Sequence, residues 1–164
     1  MSKKKKKKLV LQKHSPEAIS LMLAKYKADS LDNAFNKAII IGSDQILVCN
    51  NKIYDKAKTK EEAIENLLEL QGNEHNLISS TYIAQNKTCI WSCTKTACLF
   101  FYPISKNKIK NYVQGNSEAV FSSVGCYQIE NNHRFKFVKI ISGNNETIMG
   151  FPIEEFIKIN RDKL

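Results

Sequence analysis

The stretch Ala38-Ile39-Ile40-Ile41-Gly42-Ser43-Asp44-Gln45-Ile46-Leu47-Val48-Cys49 decides the fold. Two apolar runs rich in β-branched residues flank four small or polar ones. Unalternating runs of this kind read as a strand buried on both faces, as in the sheets of α/β proteins. The polar insert predicts a break in that strand at Gly42, where a residue without a Cβ lets the backbone kink or approach a ligand closely. Asp44 stands at this break. Ligands of α/β sheets collect at strand ends and breaks, so a carboxylate there could hold Mg²⁺ or orient a water. An Asp beside a Gly is also ordinary turn chemistry, and these residues alone leave both readings open.

Upstream, Ser15-Pro16 is a helix opening, with serine as N-cap and proline at the first helical position. Ile19, Met22, Leu23 and Tyr26 follow at helical spacing as one apolar stripe, and the helix closes near Asp29–Asp32. Downstream, Asn50-Asn51-Lys52 makes a turn. Thr59 and Glu62 form a capping box ahead of the apolar face Ala63, Ile64, Leu67 and Leu68, and Gly72 supplies a left-handed stop. Residues 75–84 and 88–101 read as strands of a hairpin joined at Gln85-Asn86-Lys87. Ser105 caps a helix carrying Ile109, Tyr112 and Val113 that stops at Gly115. Residues 134–141 alternate as a further strand, and Pro152 opens a short last helix through Phe156 and Ile157. The expected fold class is α/β, a mixed twisted sheet flanked by helices.

Three further residues carry chemistry. Lys56, a short turn past the strand, is a natural point charge for phosphate and equally an ordinary exposed lysine. Glu130, in Gly125-Cys126-Tyr127-Gln128-Ile129-Glu130, is a second carboxylate that could share a site with Asp44, for metal binding or for base discrimination. His75, just past the Gly72 stop, reads as a structural histidine bonded to backbone.

The chain has 164 residues, enough for one core, and 43% hydrophobic against 25% charged residues marks it as globular. Six lysines, Lys3 to Lys8, account for most of the +9 net charge and leave +3 for the rest, so the basicity is a tail. Residues 1–14 are expected to be a basic disordered leader and residues 15–164 the domain. No apolar run is long enough to cross a bilayer and none reads as a secretory signal, so the expected location is cytoplasmic, without a membrane partner. An odd count of five cysteines favours free thiols. Cys89, Cys93 and Cys98 lack metal-knuckle spacing and read as small buried hydrophobes.

The order of these segments is more specific than any one of them. Ile40-Ile41-Gly42-Ser43-Asp44-Gln45, Asp55-Lys56, Lys60-Glu61-Glu62-Ala63, Leu70-Gln71-Gly72-Asn73-Glu74-His75, Gly125-Cys126-Tyr127-Gln128-Ile129-Glu130 and Gly150-Phe151-Pro152-Ile153 together resemble the Maf family of nucleoside triphosphate pyrophosphatases, related in fold to inosine triphosphatase. Ser15-Pro16-Glu17 and Leu23-Ala24-Lys25-Tyr26-Lys27-Ala28 are similar to the helix before its central strand. The resemblance implies hydrolysis of modified or non-canonical nucleoside triphosphates to monophosphate and pyrophosphate with a divalent metal, Mg²⁺ or Mn²⁺. It implies Asp44 as the catalytic carboxylate, Lys27 and Lys56 as phosphate-binding residues, Gln45 and Glu130 as substrate-specificity residues, and Asp44 with Glu130 as metal ligands. It makes a homodimer plausible. Ser-Asp-Gln with Glu at 130 is closer to the 7-methyl-GTP branch than to the dTTP/UTP branch, whose corresponding residues are Thr and Gln.

The sequence departs from the family pattern at its start, where the opening strand and the Ser-Pro-Arg-Arg turn that grips the triphosphate are missing. Tyr102 stands where an arginine is expected, and Asn131-Asn132-His133 replaces Gly-Leu-Gly. Arginine clamps phosphate with paired hydrogen bonds that lysine reproduces poorly. The competing reading is therefore an inactive remnant of the fold with weak or no nucleotide binding. A nucleic-acid binder driven by the lysine run ranks below both, and no nucleic-acid partner is expected.

Overall fold

The computed structural model describes residues 9–10, 13–32 and 38–161. In chain order its elements are α1 (Pro16–Asp32), β1 (Ile39–Cys49), β2 (Lys52–Tyr54), α2 (Lys60–Leu70), β3 (Glu74–Gln85), β4 (Thr88–Phe101), α3 (Lys106–Gly115), α4 (Ser117–Ser122), a 3-10 turn (Ile129–Asn131), α5 (Asn132–Phe135), β5 (Val138–Ser142), α6 (Asn145–Met149) and α7 (Glu154–Ile159). The strands form one sheet in the order β2-β1-β3-β4-β5, with β1–β2 and β4–β5 antiparallel. The α/β architecture is the one the sequence predicts. The lysine run lies outside the described residues; Leu9 and Val10, expected within the disordered leader, are helical, and Leu9 is buried.

The chain divides into two compact units, one of Met1–Gln45, Ile78–Thr96 and Asn144–Leu164, the other of Ile46–Leu77 and Ala97–Gly143. In the first, Ser15 caps α1 by accepting from the Ala18 N–H at 3.2 Å. The helix turns Ile19, Ser20, Leu23, Ala24 and Ala28 inward, while Met22 and Tyr26 stay half-buried. Its inner face is thus rotated from the predicted stripe toward the small residues. The cause is Gly42. A Cβ built there would lie 2.2 Å from the Ala24 carbonyl oxygen and 2.7 Å from the Ala28 nitrogen, so helix and strand meet backbone to backbone. Only small side chains fit that crossing, and Ala24 and Ala28 share a buried cluster with Ile40, Tyr82 and Ala84.

The predicted strand break is corrected accordingly. β1 runs unbroken through Gly42-Ser43-Asp44-Gln45, and the close approach at the glycine is made by α1 rather than by a kink or a ligand. Burial on both faces holds for Ile46 and Leu47 but not for the first run: Ile40 is 5% exposed, Ile39 44% and Ile41 40%. Branched side chains report strand preference, whereas cover on the second face depends on what the chain later brings there.

In the second unit, Thr59 Oγ1 accepts from Glu62 N at 3.1 Å, and Glu62 Oε2 accepts from Lys58 N at 2.8 Å, one residue earlier than a reciprocal box requires. Gly72 has φ +74° and donates to Phe101 O at 2.7 Å, turning the chain into β3. The strand predicted at 134–141 is shorter. Asn132–Phe135 is helical, and only Val138–Ser142 is extended. One side chain makes the difference: Asn132 Oδ1 accepts from Phe137 N at 2.9 Å and Val138 N at 3.0 Å, while its Nδ2 donates to Val138 O at 2.8 Å. The alternation of Phe135 and Phe137 instead serves ring contacts, both rings lying 4.8 Å from Tyr112.

All five cysteines are free thiols. Cys49 and Cys126 are buried, but Cys89 is exposed and Cys93 and Cys98 are half-buried, so the buried-hydrophobe reading of that trio is corrected. β4 begins at an open end where Thr88, Cys89 and Ile90 face solvent.

His75 is 1% exposed and structural, though its partner is not backbone. Its Nε2 lies 2.6 Å from the Tyr127 hydroxyl, and Nδ1 has no partner. Burial lowers its pKa from 6.5 to about 4. The unfolded chain takes up the proton near 6.5 and the folded chain only near 4, so acid favours unfolding across that interval. The contribution is complete above pH 6.5 and is lost as pH falls toward 4, by about 3 kcal/mol in all. Urea midpoints measured between pH 7 and pH 4.5 should fall for the wild type and fall less for His75→Leu.

Candidate active site

Along β1, side chains alternate between faces, which sets Ile40, Gly42 and Asp44 toward α1 and Ser43 and Gln45 to the other side. The close helix–strand crossing at Gly42 brings Lys27, on the turn after Ala24, over the strand. Lys27 Nζ lies 2.7 Å from Asp44 Oδ1 and donates to Ser43 O at 2.5 Å. The Asp44 side chain is 14% exposed and that of Lys27 41%, so the carboxylate sits in a recess with the ammonium at its rim.

The backbone beneath this pair is held by hydroxyls. The buried Ser20 hydroxyl lies 3.0 Å from Asp44 O and 3.2 Å from Ile78 O, tying α1 to both strands at the level of the carboxylate. On the opposite face the Ser43 hydroxyl is 2.9 Å from Ser80 O and 2.6 Å from Gly150 O. Gln45 Nε2 reaches Ser79 Oγ at 2.9 Å, Thr147 O at 3.0 Å and Ile148 O at 2.9 Å, and Ser79 Oγ donates to Thr147 O at 2.7 Å. Gln45 therefore holds the carbonyl end of α6, and Gly150, at φ +89°, leads the chain away beside it. Polar groups hydrogen-bonded in this way pin the backbone segments that carry them.

Of the predicted residues, the structure joins Lys27 to Asp44 and places Gln45 in the same unit with its amide turned inward. Lys56, in the loop between β2 and α2, and Glu130, on the 3-10 turn, are exposed and belong to the second unit. Among the described residues no group of three or more His, Cys, Asp or Glu side chains is arranged to hold a metal ion. No described helix is long and apolar enough to cross a membrane.

Ser20, Ser43, Ser79 and Thr147 were not singled out from the sequence. Ser20 had a readable signal, since Ser20, Ala24, Lys27 and Ala28 recur at helical spacing as a small and polar face beside the apolar stripe. The other three carry no such signal, because their partners are backbone carbonyls remote in sequence.

Comparison with known proteins adds the family. The chain is 35% identical over 157 residues to a nucleoside triphosphate pyrophosphatase of Pelagibacter ubique, covering 94% of this chain and 80% of that protein. A nucleoside triphosphate pyrophosphatase of Granulibacter bethesdensis is 34% identical over 131 residues, 80% of this chain and 66% of its own length. A 7-methyl-GTP pyrophosphatase of Rhizobium meliloti is 33% identical over 139 residues, 85% of this chain and 69% of its own length. The family model described as Maf-like protein matches residues 1–162. A match of that extent makes this protein a member of the Maf-like family.

Proposed function

We infer that the protein is a nucleoside triphosphate pyrophosphatase, cleaving the α–β phosphoanhydride to release a nucleoside monophosphate and pyrophosphate. The observation that carries this reading is the 2.7 Å contact between Asp44 on β1 and Lys27 on the helix that covers it, in a chain of this family. Asp44 accepts a proton from the attacking water as the water oxygen bonds to the α-phosphorus. The bridging oxygen then departs with pyrophosphate. Lys27 swings from the carboxylate toward phosphate, neutralising charge as it builds on the leaving group, and Lys56 binds the outer phosphates.

A divalent metal suits these residues in one way. Mg²⁺ is commonly bound by one or two carboxylates together with substrate phosphates and water. Asp44 would hold such an ion as it arrives on the triphosphate, and Glu130 is the proposed second carboxylate. When bound, such an ion screens the phosphate charge and polarises the α-phosphoryl group. Gln45 influences substrate choice through the Thr147–Gly150 segment it holds, and Glu130 by direct contact with the base. Glu130 with the Ser-Asp-Gln wording favours 7-methyl-GTP as the nucleotide.

The test is product analysis. Incubation with nucleoside triphosphates and Mg²⁺ should yield monophosphate and pyrophosphate in equal amounts. EDTA should stop the reaction and excess Mg²⁺ restore it. Diphosphate and orthophosphate as products, or no turnover of any nucleotide, would overturn the reading.

A further inference from the structure

Glu130 lies in a short span tied down at both ends. At one end, Tyr127 is buried and its hydroxyl meets His75 Nε2 at 2.6 Å, with the two rings edge to face at 5.8 Å and 82°. Phe101 closes a second side of the Tyr127 ring at 5.7 Å. The ring also sits on Gly125, where a Cβ would stand 2.6 Å from Tyr127 Cε1, and Cys126 makes the intervening turn at φ +58°. At the other end, Asn132 makes the three backbone hydrogen bonds that start β5. Between these anchors, Asn131 Nδ2 bridges to Gln128 Oε1 at 3.1 Å, and Glu130 itself is exposed. An exposed side chain takes its position largely from the backbone that carries it.

We propose that His75 is a positioning residue, acting through the Tyr127 hydroxyl to set where Glu130 meets the nucleotide base. The inference rests on the reading of Glu130 as a specificity residue. His75 is an expensive way to fill a core position, because its Nδ1 is buried without a partner and an apolar pair of similar shape would leave nothing unsatisfied. What the pair supplies is direction. A hydrogen bond fixes the tyrosine along its long axis, and with it the register of the three residues leading to Glu130. An apolar contact would let the ring slide.

The experiment compares the kcat/KM ratio for 7-methyl-GTP over GTP in Glu130→Gln, in Tyr127→Phe and in the double variant His75→Leu, Tyr127→Phe, with melting temperatures recorded alongside. The double variant leaves neither partner orphaned and so stands in should Tyr127→Phe fold poorly. The expected result is a ratio reduced about tenfold in all three, with kcat for the better substrate within about threefold of wild type in the two tyrosine variants, as displacement of a contacting group by a fraction of an ångström produces. A ratio that moves in Glu130→Gln but stays at the wild-type value in both tyrosine variants overturns the positioning role and leaves Glu130's role standing. A ratio unmoved by Glu130→Gln removes the role of Glu130, and the inference with it.

Discussion

Asp44→Asn should abolish pyrophosphate release, lowering kcat by about a thousandfold or more while leaving the protein folded. The substitution is nearly isosteric and keeps a hydrogen-bond acceptor for Lys27, but removes the group that takes the proton from water. The loss of an ion pair with a lysine 41% exposed is expected to change stability by no more than about 1 kcal/mol. The two readouts therefore separate. Activity gone with a melting temperature within a few degrees of wild type assigns Asp44 to the chemistry, because the Ser20 and Ser43 hydroxyls hold this stretch of β1 through its backbone and remain in place. Pyrophosphate release at the wild-type rate would remove Asp44 from the mechanism, whereas a wild type as inert as the variant would favour the alternative of an inactive remnant of the fold. Lys27→Met supplies the complementary case, keeping the carboxylate and losing the cation that meets the leaving group.

Local rules carried the reading of the sequence where the decisive contacts are local. Ser15, Thr59 and Ser105 cap the helices assigned to them, and Gly72 adopts the left-handed conformation its place after an apolar face requires. The hairpin of β3 and β4 turns at Asn86-Lys87, both at positive φ, close to where the polar run put it. Errors fall where a distant residue decides. The insert Gly42-Ser43-Asp44-Gln45 resembles a break because nothing in those four residues reveals that Ala24 and Ala28 cross above the first, that Lys27 meets Asp44, and that Ser79, Ser80, Thr147 and Gly150 meet Ser43 and Gln45. Of the candidate site, Asp44 and Lys27 came from ordered motifs of a family, and their ion pair at 2.7 Å was not foreseen, because it depends on how the helix crosses the strand. The inward turn of Gln45 was invisible, since a glutamine amide satisfied by three internal acceptors looks the same in sequence as one offered to a ligand.

The substitution Gly42→Ala should damage both the fold and the reaction through a single methyl group. The new Cβ would lie 2.2 Å from the Ala24 carbonyl oxygen and 2.7 Å from the Ala28 nitrogen, far inside contact distance. Both obstacles are backbone, so no rotamer change relieves them, and α1 must move off β1 as a body. Overpacking of this kind costs about 3 kcal/mol, or roughly 10 °C in melting temperature for a chain of this size. The movement also carries Lys27 away from Asp44 and Ser20 away from the Asp44 and Ile78 carbonyls, since all of these contacts depend on the same crossing. Whatever fraction stays folded should turn over nucleotide far more slowly than wild type. Gly115→Ala is the matched control, because a Cβ there meets nothing within 4 Å and the residue ends a helix at its surface; its melting temperature should stay at or slightly above that of wild type. Equal stability of the two variants would mean that helix and strand do not approach as closely as the structure has them. The reason given for a glycine two residues before the carboxylate would then fail.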